Sequence, residues 1–245
     1  MLKENIQKLK DFVESSNNIV FFGGAGVSTE SGIPDFRSTD GLYSQKYKYP
    51  PEKILSYGFF LNNTSKFYDF YKNKMLFPDA KPNNAHIALA KLESAGKLKA
   101  VITQNIDGLH QASGSKNVIE LHGSVYRNYC MKCNKPYDID AIIGSADVPL
   151  CDNCGGIIKP DVVLYEESLD ISTMATAVEY IARADMLIIG GTSLVVYPAA
   201  GLVEYYNGDK FVLINKSSTS SDRRADLIIN GNIGEALNSV FAHNV

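Results

Sequence analysis

The chain has 245 residues, 45% hydrophobic and 21% charged, with a formal net charge of -3. That is enough chain for one large hydrophobic core, alone or with a smaller companion domain. The weak acidic balance argues against a nucleic-acid surface held mainly by phosphate contacts, which needs a basic patch.

In chain order, Leu2, Ile6, Leu9, Phe12 and Val13 share one face of an amphipathic N-terminal helix, a pattern that is not a signal peptide. Every apolar run is broken by glycine or charge well short of the ~20 residues of a membrane span, so a cytoplasmic protein is expected. A β-like run at 19–22 then enters Gly23, Gly24 and Gly26. This is how a strand becomes a phosphate-cradling turn. In the dinucleotide pattern G-x-G-x-x-G counted from Gly24, however, the last position is Thr29, and the polar stretch GIPDFR follows. Residues 39–82 are rich in Tyr and Phe and read as a helical insertion.

Beyond the insertion, His86 stands at the start of a helical pattern over 85–95, and a strand at 100–103 ends in Gln104, Asn105, Asp107 and Gly108. Turn chemistry explains an Asn, an Asp and a Gly there, but not Gln104. The strand at 118–121 ends in His122 and Gly123, and a further apolar run covers 161–165. A helix at 171–184 precedes a strand at 186–189, which runs into Gly190, Gly191, Thr192 and Ser193. Two more strands, 211–215 and 227–229, follow, the first ending on Asn215. Alternating strands and helices predict an α/β fold, a doubly wound parallel sheet whose ligands sit at the carboxyl ends of the strands.

Position selects among the four histidines. His243 lies in the tail, His86 at a helix start, and His110 deeper in its loop as a packing or hydrogen-bonding residue. His122, at a strand end, is the candidate general base, and its ordinary pKa near ~6.5 suits that task. Thr192 and Ser193 can donate to phosphate oxygens and Asn215 can bind ribose hydroxyls, so a dinucleotide is expected.

All four cysteines fall in residues 128–157, as Cys130-x-x-Cys133 and Cys151-x-x-Cys154 separated by 17 residues. Two disulfides or four free thiols are the other readings of such a set. In a cytoplasmic chain the spacing points to one structural Zn2+, with a filled shell that leaves no position for substrate.

Taken together, GAGVS and GIPDFR at 24–37, TQNIDGLH at 103–110, LHG at 121–123, the paired C-x-x-C, KPDVV at 159–163, GTSL at 191–194 and Asn215 resemble the sirtuin family of NAD-dependent protein lysine deacylases. The resemblance covers nearly the whole chain. It implies a Rossmann-like NAD-binding domain over 1–38, 83–127 and 158–245. The small domain would combine the helical insertion (39–82) with a zinc ribbon (128–157). Carried over, Gly24, Ala25, Gly26, Ser28, Thr29, Asp35 and Arg37 would serve the phosphates and the nicotinamide ribose. Phe36, Ile106 and Asp107 would enclose nicotinamide, Gln104, Asn105 and His122 its ribose, and Gly191, Thr192, Ser193, Asn215, Lys216 and Ile233 the adenosine half. His122 and Asn105 would be catalytic: the acyl oxygen attacks the ribose carbon bearing nicotinamide, and the histidine acts as base toward a ribose hydroxyl. The products would be free lysine, nicotinamide and O-acyl-ADP-ribose.

The partner so implied is an acylated lysine of a protein, its backbone adding as a strand beside Val162, Val163, Tyr165 and Val195. A monomer that binds neither nucleic acid nor membrane is expected. Tyr165-Glu166-Glu167 stands where many relatives read F-G-E. Where relatives that favour acidic acyl groups carry Tyr-x-x-Arg, this chain has Tyr68 and Tyr71, so a neutral acyl group is expected, acetyl first. Three rivals use some of the same residues: a dehydrogenase, which would want the third glycine; a mono-ADP-ribosyltransferase, which shares the pocket; and a non-catalytic zinc module.

Overall fold

The computed structural model describes residues 2–38, 41–45 and 47–241; the tail histidine His243 lies outside them. Helix α1 (Leu2–Glu14) is the expected amphipathic helix and leads into β1 (Ile19–Gly23). The insertion holds α2 (Pro51–Ile54), α3 (Tyr57–Asn62) and α4 (Thr64–Lys74). Then come α5 (Asn84–Ser94), β2 (Leu98–Thr103), α6 (Leu109–Ala112) and β3 (Val118–Glu120). Next are β4 (Gly123–Cys130), β5 (Pro136–Tyr137), α7 (Ile139–Ile143) and β6 (Ile158–Val162). The chain closes with α8 (Ile171–Arg183), β7 (Met186–Gly190), β8 (Phe211–Asn215), β9 (Leu227–Asn230) and α9 (Ile233–Ser239).

Six strands form one parallel sheet in the order β3-β2-β1-β7-β8-β9. Counting only these strands, the order is 3-2-1-4-5-6, the doubly wound Rossmann arrangement. Pleating sends alternate side chains to opposite faces. Ile19 and Phe21 of β1 pack with α1, α5 and α9, whereas Val20 and Phe22 pack with α8 and the turn at 199–205. Both faces are covered, which is why these strands appear in the sequence as short, nearly continuous apolar runs.

One expected strand belongs elsewhere. The run read at 161–165 does not join the parallel sheet: β6 ends at Val162 and pairs antiparallel with β4 in a three-stranded sheet of order β5-β4-β6. Its burial alternates along Ile158–Val162, with Ile158, Pro160 and Val162 inward, so one face is packed and one is open. Pro160, which has no backbone N–H, fits an edge strand. A third apolar cluster joins Phe60, Phe67 and Tyr71 of the insertion to Cys130, Ile142 and Ile158 of the cysteine-bearing segment, so these two excursions share one core. Among the described residues, no helix is long and apolar enough to cross a membrane.

Candidate active site

The parallel sheet changes direction between β1 and β7, whose last residues, Gly23 and Gly190, are register partners. In such sheets this is where a crevice opens. Here the loop 24–28 meets the loop 190–193 backbone to backbone: the Gly26 N–H donates to the Gly191 carbonyl at 2.8 Å. A Cβ on Gly26 would lie 2.8 Å from the Gly191 Cα, and Gly191 itself has φ +60, so only glycines allow this approach. The resulting concavity is lined by backbone and can hold a diphosphate.

From this point a cleft of about 1010 Å³ extends toward the small sheet. Every residue expected to serve the cofactor lines it: Gly24, Ala25, Gly26, Ser28, Thr29, Asp35, Phe36, Arg37, Gln104, Asn105, Ile106, Asp107, His122, Gly191, Thr192, Ser193, Asn215, Lys216 and Ile233. Of the expected peptide contacts, Val162, Val163 and Tyr165 line it too. Val195 is not among the lining residues and is 55% exposed on the rim, next to Val196, which does line the cleft.

Hydrogen bonds fix the chemistry of the central groups. The Ser28 hydroxyl donates to Asp107 Oδ2 at 2.6 Å, because a carboxylate only accepts. Ser28 Oγ must then accept from the Asn105 amide at 3.0 Å, which commits the Asn105 nitrogen to Ser28 and leaves its oxygen for a ligand. His122 Nδ1 lies 2.9 Å from the Gln104 carbonyl, which also only accepts. The ring proton therefore sits on Nδ1, and Nε2 carries a bare lone pair on the cleft side. Burial lowers the His122 pKa below its ordinary value, partly opposed by that carbonyl bond, so the ring is neutral at pH 7. The arrangement presents one base and one oriented amide oxygen to hydroxyl-bearing ligands.

Other lining residues shape the cleft. Gln104 donates to Thr192 Oγ1 at 3.0 Å, and Asn215 exchanges two bonds with the Thr192 backbone at 3.1 and 3.0 Å, tying three strand ends together. Asp35 Oδ1 accepts from the Arg37 and Ser38 N–H groups, so it folds its own loop. The Val163 N–H donates to the His122 carbonyl at 3.0 Å, bringing the segment after β6 alongside His122. Among the described residues β6 is an edge strand, paired only with β4.

The other two described histidines lie away from the cleft lining. His86 Nδ1 accepts from the Asn83 N–H in a capping box, and His110 packs 4.7 Å from it with neither ring nitrogen bonded to a described residue. Of the two positions expected to bear on acyl selection, Tyr68 is buried and its hydroxyl donates to the Ile158 carbonyl, while Tyr71 lies in the cleft floor. Sequence reading missed Glu30, which lines the cleft and accepts the Gly234 N–H at 2.9 Å, and Tyr43, whose hydroxyl bonds that of Tyr165. Neither has a local signal, since each partner lies more than a hundred residues away.

The four cysteine sulfurs lie within 4.8 Å of one another, with Cys130–Cys154 at 3.4 Å and Cys133–Cys151 at 3.6 Å. A disulfide requires about 2.05 Å. A tetrahedron built on Zn–S bonds of about 2.3 Å has edges near 3.8 Å, which these separations approach. The N–H groups of Lys132 and Cys133 point at Cys130 Sγ, the donors a thiolate ligand takes in a metal knuckle. The set fits one structural zinc with a filled shell.

The sequence profile of the Sir2 family matches residues 24–198. An NAD-dependent protein deacetylase of Clostridium tetani is 62% identical over 237 residues, 96% of each chain. One of Clostridium acetobutylicum is 60% identical over 244 residues, 98% of this chain and all of the relative. Among solved structures, a Sir2 enzyme superposes with a TM-score of 0.88 at 40% identity, covering 97% of this chain and 96% of that one. A Sir2–peptide–NAD+ complex does so with 0.84 at 43% identity, covering 96% of both.

Proposed function

The chain belongs to the Sir2 family, and from that premise we propose that it removes acetyl groups, and longer neutral acyl groups, from protein lysines at the expense of NAD. Its products are nicotinamide, O-acyl-ADP-ribose and free lysine. The observation that carries the reading is His122, a neutral imidazole whose proton is held on Nδ1 by the Gln104 carbonyl.

NAD bound in this cleft supplies a ribose carbon activated by a cationic leaving group. The residues around it divide the remaining work. The Gly24–Gly26 and Gly191–Ser193 loops would hold the diphosphate, and Asn215, Lys216 and Ile233 the adenosine end. His122 Nε2 accepts a proton from a ribose hydroxyl, and the Asn105 oxygen, oriented by Ser28 and Asp107, holds a hydroxyl or water at a fixed angle. Phe36, Ile106 and Asp107 wall off the nicotinamide end. The acyl-lysine peptide adds to the free edge after β6, along Val162, Val163 and Tyr165, with Val195 on the opposite rim. The zinc-bearing lobe, 39–82 with 128–157, packs against that edge and holds it through Leu55 and Tyr57, and the remainder supplies the edge itself and the dinucleotide site. The same reading takes the protein as a cytoplasmic monomer, and its net charge of -3 disfavours a nucleic-acid surface held mainly by phosphate contacts.

The test is incubation with NAD and an acetyl-lysine peptide, following nicotinamide and deacetylated peptide by chromatography and mass spectrometry. Release of both, abolished in His122→Ala with the circular dichroism spectrum intact, supports the deacylase. Nicotinamide release with ADP-ribose attached to protein and the peptide unchanged would favour the transferase instead.

A further inference from the structure

The hydroxyls of Tyr43 and Tyr165 bond to each other across 122 residues of sequence. Each ring is anchored to a different wall. Tyr43 belongs to the loop that begins at Asp35: its N–H donates to the Phe36 carbonyl at 2.8 Å, the Phe36 ring meets it edge-on at 5.5 Å, and the Arg37 guanidinium lies 5.3 Å over its face. Tyr165 belongs to the peptide-side wall. Its N–H donates to the Leu55 carbonyl at 3.0 Å and its carbonyl accepts from the Tyr57 N–H at 2.9 Å, so the small lobe holds it. Phe36, Arg37 and Tyr165 all line the cleft.

We propose that this pair of hydroxyls is a cross-cleft tie that couples the two substrates, so that a peptide seated along Val162–Tyr165 tightens the hold of the Phe36–Arg37 loop on the dinucleotide. The proposal rests on the deacylase reading and makes Tyr43 and Tyr165 positioning residues. The physical basis is shared ordering. A peptide beside Tyr165 immobilises that ring, the hydroxyl bond then immobilises Tyr43, and the loop packed on Tyr43 loses its freedom before the dinucleotide arrives. A tie that only held the lobes together would affect stability, or both affinities alike, and would leave the coupling between them unchanged. Burial pushes the Tyr43 pKa upward, so the phenol stays protonated and able to take part in the bond throughout the working range.

The test measures the dissociation constant of ADP-ribose by calorimetry, with and without a saturating acetyl-lysine peptide, in the whole protein. ADP-ribose carries no nicotinamide, so nothing reacts. In the wild type the peptide should tighten ADP-ribose about fivefold, the lower end of ordinary coupling. Tyr43→Phe and Tyr165→Phe, which keep both rings, should each bring that factor below about twofold, and the double variant should be no worse than either alone. The tie is refuted if both ligands bind the wild type independently, if either variant keeps the full coupling, or if the two losses multiply. If the peptide does not bind at all, the deacylase reading falls and the tie with it. Turnover of NAD and peptide with no coupling overturns the tie alone.

Discussion

Glu166 sits in the left-handed region at φ +75, and its carboxylate accepts the Gly58 N–H at 2.8 Å near the start of α3. The left-handed backbone costs a non-glycine residue roughly 1 kcal/mol. A charge-assisted bond to an amide at a helix N-terminus returns about 1–2 kcal/mol, reduced toward the lower figure because Glu166 is exposed. Gly58 completes the arrangement, since a Cβ there would stand 2.9 Å from Glu166 Oε2. Three outcomes follow for urea unfolding monitored by far-ultraviolet circular dichroism. Glu166→Ala should destabilise by about 1 kcal/mol, because the bond is lost and the strain kept. Glu166→Gly should cost less than Glu166→Ala, because the strain goes too. Gly58→Ala should destabilise the wild type by displacing the carboxylate, yet stabilise the Glu166→Ala background by up to about 0.5–1 kcal/mol through helix propensity. A Gly58→Ala effect of the same sign and size in both backgrounds would refute the reasoning, as would a Glu166→Gly variant less stable than Glu166→Ala.

Ser28→Ala removes the acceptor that commits the Asn105 amide, so kcat should fall on the order of tenfold or more with little change in the melting temperature; an unchanged kcat would show that Asn105 is held by other means. Because burial depresses the His122 pKa, the base form persists as pH falls past 6.5, and the acid limb of kcat/KM should have its midpoint below that value; a midpoint at or above 7 contradicts the assignment. His86 and His110 are buried with depressed pKa values, so the unfolded chain binds protons that the folded chain refuses. Stability should be full above about pH 6.5 and decline below it by a few kcal/mol, and a flat stability curve from pH 7 to 4.5 would rule this out. Stripping the metal with a chelator should unfold the lobe built on Cys130, Cys133, Cys151 and Cys154 while leaving the parallel sheet's circular dichroism signal largely in place; simultaneous loss of both would mean one cooperative unit.

The parts of this molecule that were legible in the sequence share one property: their reason for being is local. A strand buried on both faces must be apolar throughout, so the runs at 19–22, 100–103, 186–189 and 211–215 declare themselves, and a polar residue at the end of such a run has no packing role to explain it. That is why Gln104, Asn105, His122 and Asn215 could be singled out. The strand β4 gave no such signal, because it has a packed face and a wet one, carries Arg127 and Asn128 in its middle, and shifts register between Gly123 and Asn128. The run from Asp161 resembles a strand of the parallel sheet for the same reason: the alternation along β6 that marks its antiparallel place beside β4 is a weaker cue than the continuous apolar run that overlaps its end.

The ties across the cleft leave no local trace of any kind. Ser28 with Asp107, Glu30 with the Gly234 N–H and Tyr43 with Tyr165 show nothing of their pairing in the sequence, even where one member is expected at the site, until the fold brings their segments together. A strand end therefore says which atoms meet a ligand, whereas only the assembled crevice says what orients them. For Asn105 that difference decides the mechanism: the sequence allows either end of the amide to face the ribose, and the Ser28–Asp107 pair selects the oxygen.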